Sequence, residues 1–206
     1  MMISSRDEKR IDRIISEIES LYSGLTKSRG RVFNYIGMTF NFEQLGRVVI
    51  SMEGFIKDLL DDCIEIVGVS RKPADDNLFK IDHNSPLLND KERERFHSLI
   101  AKSLNLSTRT RPGILTCIAY LTKRVLEPRT DDWKKLVHTI QYIRGARNMP
   151  QTLEVDTPVK VIAYIDAPYA VHADKKSHTG CIITLGKGAI CYKSSTQILR
   201  LAQKQN

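Results

Sequence analysis

Apolar positions along this chain recur with two periods, and the switches between them divide it into elements. From Asp7 to Tyr22, Ile11, Ile14, Ile15, Ile18 and Leu21 fall three or four residues apart with charges between them. That is the stripe of an amphipathic helix, with Gly24 as its stop signal. From Arg31 to Phe42 the period drops to two: Val32, Ile36, Met38, Phe40 and Phe42 share a face broken only by Asn34. A second short strand, Arg47 to Ile50, follows a loop ending in Gly46. The pair predicts a hairpin whose apolar face packs on the first helix. Ser51 then caps a helix that buries Met52, Phe55, Ile56, Leu59, Leu60 and Cys63.

A polar connector follows, centred on Pro73-Ala74-Asp75-Asp76-Asn77, and behind it the helical period returns three times. Asn89 with Glu92 forms a capping box ahead of Phe96, Leu99, Ile100 and Leu104. Pro112 sits in the first turn of a helix carrying Ile114, Leu115, Ile118, Leu121 and Val125. Thr130 caps the last helix, whose Asp131 and Asp132 suit the helix dipole while Trp133, Leu136, Val137, Ile140 and Ile143 face the core; Gly145 ends it.

The pattern changes once more at Val159. Through Asp166 both parities are apolar, which predicts a central strand in a sheet covered on both faces. Asp166 and then Ala167-Pro168 end it. Cys181 to Leu185 and Ala189 to Tyr192 read as two more strands joined by the Gly186-Lys187-Gly188 turn. A carboxylate at the end of a buried strand is one way to present a metal ligand; pattern alone favours the plainer reading, an Asp that opens a turn.

Length and composition narrow this little. At 206 residues and 41% apolar, the chain holds one large domain or two small ones with a real core. A formal charge of +8 favours a polyanionic partner, with ordinary solvated basic surface as the alternative. The cysteines (Cys63, Cys117, Cys181, Cys191) lack any C-x-x-C pair and read as reduced thiols. The histidines (His83, His97, His138, His172, His178) have no metal-ligand spacing and receive no role. No apolar run reaches the roughly 20 residues of a membrane helix, and the charged start MMISSRDEKR is not a signal peptide. These features predict a soluble protein of the cytoplasm or nucleus with no membrane partner.

Several stretches, taken together, carry a family resemblance. Ala163-Tyr164-Ile165-Asp166-Ala167, Lys176-Ser177-His178-Thr179-Gly180, the Leu185-Gly186 hairpin and Lys193-Ser194-Ser195 before Gln197 look like the start of a ribonuclease H domain. More closely, they resemble the one at the end of the Pol polyprotein of Ty1/copia-type retrotransposons. Upstream, Lys27 and then Tyr35-Ile36-Gly37-Met38 resemble the primer-grip hairpin at the end of that family's reverse-transcriptase palm. Thr110-Arg111-Pro112, Asp132-Trp133-Lys134-Lys135 and Tyr142-Ile143-Arg144-Gly145 resemble its link to ribonuclease H. One departure is Gly113, where the family has Asp.

The resemblance implies an α+β chain: a palm-end helix and hairpin with the following helix (1–67), a connector (68–88), a helical thumb or connection (89–150), an incomplete ribonuclease H-like sheet (156–196) and a divergent tail (197–206). It reverses the preference at Asp166, which takes the position of the first metal-binding carboxylate of ribonuclease H, for Mg. It implies backbone approach to a primer strand at Gly37, and phosphate contacts by Lys27, Arg109, Arg111, Lys134 and Lys135. The partners implied are a template–primer duplex or RNA–DNA hybrid, and the remainder of Pol.

The chemistry of that family is only partly represented. Polymerisation needs two metal ions held by carboxylates, and the family's Tyr/Phe-x-Asp-Asp turn stands upstream of the primer grip. The pairs Asp61-Asp62, Asp75-Asp76 and Asp131-Asp132 all lie downstream of Gly37. The family's second ribonuclease H carboxylate comes from Ser-Ser-Thr-Glu-Ala-Glu after the third strand. Here Asp174 is the last acidic residue, and 197–206 is basic and Gln-rich, as a premature stop, splice error or frameshift would leave it. The expectation is therefore an inactive fragment. A nucleic-acid-binding or Pol-assembly module is the alternative, and a ribonuclease H completed by carboxylates of a second chain is a third.

Overall fold

The computed structural model describes residues 2–5 and 7–197; the divergent tail beyond Gln197 lies outside the described residues. The architecture is α+β. Helix α1 (Glu8–Leu21) leads into a four-stranded antiparallel sheet of β1 (Val32–Tyr35), β2 (Met38–Asn41), β3 (Arg47–Ser51) and β4 (Gln151–Glu154), in that order across the sheet. Helices α2 (Glu53–Asp61), α3 (Asp90–Ser107), α4 (Leu115–Leu121) and α5 (Thr130–Gly145) come between β3 and β4. A three-stranded sheet closes the order: β5 (Ile162–Asp166), β6 (His178–Thr184) and β7 (Ala189–Thr196).

The single strand expected over 31–42 is itself a hairpin. Ile36 and Gly37 turn the chain at φ +50° and +73°, so Tyr35 pairs with Met38 and Phe33 with Phe40. Two consecutive positive φ values are what a two-residue hairpin turn of type I′ requires. The turn flips the parity of everything before it. Phe33, rather than Val32, joins Phe40 and Phe42 on one face, with ring centroids 5.7 to 6.3 Å apart, and Val32 is exposed. The fourth strand, β4, pairs with β3 in the register Arg47–Glu154 to Ile50–Gln151. Helix α1 forms as expected, capped by the Asp7 side chain on the Lys9 N–H, yet it buries no residue fully; its isoleucines are half-buried and Leu21 is exposed.

The core belongs to the helices. Phe96, Ile100 and Leu106 of α3, Ile118 and Leu121 of α4, and Leu136 and Ile140 of α5 are wholly buried. Ile56, Leu59, Leu60 and Cys63, on and just past α2, share that core, so α2 packs with the helical unit rather than with the hairpin that precedes it. The connector is packed too. Its Ser70 N–H donates to Gln141 O, Gln141 Nε2 to Val67 O, and Thr139 Oγ1 to Pro73 O, while Leu78 is buried. The capping box at Asn89 and Glu92 is present in both directions at 3.0 Å. Met52, not Ser51, precedes α2, because Ser51 is spent in the β3 ladder. At α5 the expected cap Thr130 is the first helical residue, and the Asp132 carboxylate receives the Arg129 N–H instead.

The second sheet departs most from expectation. Among the described residues β5 stands at the edge of its sheet, where a central strand was expected, and all its residues are exposed. The sheet seats on the rest through β7 and the β6–β7 turn: Ser194 Oγ meets Thr116 Oγ1 of α4 at 3.0 Å, and Glu154 N–H and Asp156 N–H donate to Lys187 O and Leu185 O. No described element packs over β5, so its two apolar faces stay in solvent.

Candidate functional site

Asp166 ends β5, and the ladder fixes what stands beside it. Its cross-strand partner on β6 is Gly180, and Gly180 pairs onward with Ser194 on β7. One step back along the strands the row reads Tyr164, Ile182, Tyr192. Neither β6 nor β7 contains an acidic residue. Among the described residues no group of three or more His, Cys, Asp or Glu side chains could hold a metal. Two hard cations need several oxygen ligands a few ångströms apart. A lone exposed carboxylate flanked by glycine and serine does not supply them, so the donor set does not fit a Mg pair.

Five of the six paired aspartates are committed elsewhere. Asp61 accepts from Lys57 at 2.9 Å and Asp62 is held by Lys102. Asp75 receives the Asn77 N–H at 2.8 Å. Asp131 pairs with Lys135 at 2.7 Å, and Asp132 with Arg124 at 3.2 Å. These are helix-end and turn roles, which explains acidic pairs in this chain without invoking a metal.

The expected phosphate contacts separate into three situations. Arg109 and Gly37 are brought together: the Arg109 guanidinium donates to Ile36 O, at the tip of the β1–β2 hairpin, at 2.5 Å. At Gly37 itself, φ +73°, an added Cβ would meet open space among the described residues. Lys27 pairs with Glu19 of α1 at 2.5 Å, and Lys134 lies exposed on α5. Arg111 and Lys135 are buried. Arg111 donates to Arg147 O at 3.1 Å, and burial lowers its pKa. Lys135 is bound to Asp131 and Lys80 O and stands 5.5 Å from the Tyr120 ring centre. Lys135 is interior because the α5 face that carries it is covered by the connector.

Two histidines given no role turn out to lie together. His172 Nε2 and His178 Nδ1 are 3.0 Å apart, and His178 Nε2 meets Ser194 Oγ at 2.6 Å. Thr196 Oγ1 lies 3.0 Å from His172 Nε2. Phe79 of the connector covers both rings at 4.8 and 5.2 Å, and Tyr120 of α4 stacks on His172 at 6.1 Å. Burial, with the second ring and Lys123 adding to it, pushes the His178 pKa down to about 4; His172 is lowered for the same first reason. Nothing in the spacing of the histidines signalled this, because the loop between them folds back through the His172 N–H bond to Lys176 O.

No family model and no solved structure matches the chain. Over 199 residues, 96% of this chain, it is 23% identical to a protein of Saccharomyces cerevisiae named for the transposon Ty5-1. The alignment spans 63% of that protein, so the chain corresponds to less than two thirds of its relative's length. Across nearly its whole length, then, this chain is similar to a retrotransposon protein.

Proposed function

We propose that the chain is a piece of a Ty1/copia-type retrotransposon reverse transcriptase and ribonuclease H, without catalytic activity of its own. The observation that carries this reading is the likeness to a Ty5-1 protein along 96% of the chain. The order of the resembling stretches supports it: a Tyr-Ile-Gly-Met hairpin, an Arg-Pro helix start, an Asp-Trp-Lys-Lys helix, then a strand ending in Asp166. The parent activities are RNA-directed DNA synthesis and cleavage of RNA in an RNA–DNA hybrid, both dependent on Mg. Their carboxylates are not assembled among the described residues, and Asp166 is a residual first ligand. Contact with a template–primer duplex or with other parts of Pol is the role left to such a piece, through Lys27, Lys134, Arg109 and the hairpin tip.

Incubating the chain with a labelled hybrid and Mg tests the proposal. No cleavage above the level of Asp166→Asn is expected. Mg-dependent cleavage lost in Asp166→Asn would overturn the claim of inactivity. A parallel binding titration reads the remaining role. Affinity for the hybrid should fall steeply with salt, with a slope of about −0.9 per phosphate neutralised on a duplex, and Lys134→Ala should reduce that slope by about 1.

A further inference from the structure

Ile36 occupies a backbone position that does not suit it. It takes the first central place of the β1–β2 turn at φ +50°, with its side chain 56% exposed. In that left-handed region the Cβ of an L residue crowds the following carbonyl oxygen, and β-branching makes the crowding worse. Asn, Asp or Gly is the usual occupant. With the side chain largely in solvent, burial does not offset the strain. The group that holds the turn comes from 73 residues away: Arg109 Nη1 donates to Ile36 O at 2.5 Å.

Arg109 itself stands on a firmly held turn. The N–H groups of Arg109, Thr110 and Arg111 converge on Leu106 O at 3.0 to 3.3 Å, and Leu106 is wholly buried in the helical core. Two residues on, Arg111 is buried and donates to Arg147 O at 3.1 Å, in the segment between α5 and β4. One turn of the helical unit thus reaches the first sheet at two places, the tip of β1–β2 and the approach to β4. Each time a guanidinium meets a main-chain carbonyl, and such charge-assisted bonds are stronger than neutral ones. We propose that Arg109 is a positioning residue for the duplex contact: with Arg111 it clamps the first sheet to the helical unit and fixes the hairpin tip in advance. A tip already ordered spares the complex the cost of ordering it on binding. Arg109 therefore enters the contact through the hairpin and not by neutralising a phosphate. The part played by the duplex rests on the functional reading above, while the clamp rests on these bonds alone.

Hydrogen exchange and a binding titration on the same variants test it. In Arg109→Ala the amides from Phe33 to Phe40 should exchange about tenfold faster, while those of Ile118 and Leu136 in the helical core keep their protection. That measurement needs no nucleic acid, and the unchanged core separates a released hairpin from a lost fold. Affinity for a labelled RNA–DNA hybrid should fall by about tenfold in Arg109→Ala, with the slope of log K against log salt unchanged, since no phosphate contact is lost. Arg109→Lys, which keeps a long charged donor for Ile36 O, should restore both protection and affinity. Hairpin exchange that is the same in Arg109→Ala as in the wild-type chain overturns the clamp. A salt slope reduced by about 1 in Arg109→Ala makes Arg109 a phosphate contact and overturns its positioning role. A wild-type chain that binds no hybrid at any salt overturns the functional reading instead, and the exchange result still decides the clamp.

Discussion

Asp132 satisfies two groups at once. Its carboxylate accepts the Arg129 N–H at 2.9 Å, closing the start of α5, and takes the Arg124 guanidinium at 3.2 Å, tying α5 to the turn after α4. The carboxylate is buried and Arg124 is mostly so. Removing one partner of a buried pair leaves the other without compensation, which costs more than the pair contributes. Asp132→Ala should therefore destabilise the chain by about 3 kcal/mol, at the low end of that class because Arg124 keeps some solvent, and denaturant unfolding would read it. The matching change at exposed Asp90, an i,i+3 pair with Arg93, should cost well under about 1 kcal/mol. At this scale the sequence was readable where a residue acts on its own turn. The Asn89–Glu92 box is local and was legible. Thr130 and Lys135 were not, because their partners, Pro86 O and Lys80 O, arrive from a connector that periodicity leaves blank.

Between elements, the Gly186-Lys187-Gly188 turn does more than join β6 to β7. It lies against the backbone of β4 and the segment after it. A Cβ on Gly188, at φ +81°, would stand 2.1 Å from Thr152 O, and one on Gly186 would stand 2.7 Å from Glu154 O. Gly188→Ala therefore meets both a left-handed backbone and a backbone oxygen. It should cost at least about 2 kcal/mol and raise hydrogen exchange in β7. Gly113→Ala is the contrast: its φ is ordinary and its Cβ would stop 3.7 Å from Tyr142 Oη, so the change should stabilise by up to about 1 kcal/mol. A two-residue turn inside an alternating run explains why Arg31 to Phe42 read as one strand: alternation continues through Ile36-Gly37, while the parity that decides the buried face reverses there. β4, with the sequence Gln-Thr-Leu-Glu, has too little apolar pattern to be seen without its partner. The exposure of β5 is of another kind. Its sequence asks for cover on both faces, and the described residues provide none.

At the scale of the molecule, a helical core is joined to two sheets, and the second sheet is held at one end by the histidine pair. Phe79 of the connector, Tyr120 of α4, and Ser194 and Thr196 of β7 all meet around the pair formed by His172 and His178. The charged groups acting on the pair are Lys123 and Lys176, which oppose protonation of His172, and Asp174, which favours it. Burial outweighs the carboxylate at His172, whose pKa is lowered from the ordinary histidine value of 6.5, and it holds His178 neutral down to about 4. The unfolded chain binds those protons first. Stability from this cluster is thus complete above pH 6.5 and is lost progressively as the pH falls toward about 4, where His178 protonates even when folded. Denaturant midpoints measured across that window should decline as the pH falls, and His178→Gln, which cannot take a proton, should flatten the decline. Limited proteolysis should show the loop 169–177 opening before the helical core does, since the hydrophobic cluster around Phe96 and Leu136 contains no carboxylate or histidine. A decline equal in the wild-type chain and in His178→Gln would place the acid-sensitive group elsewhere.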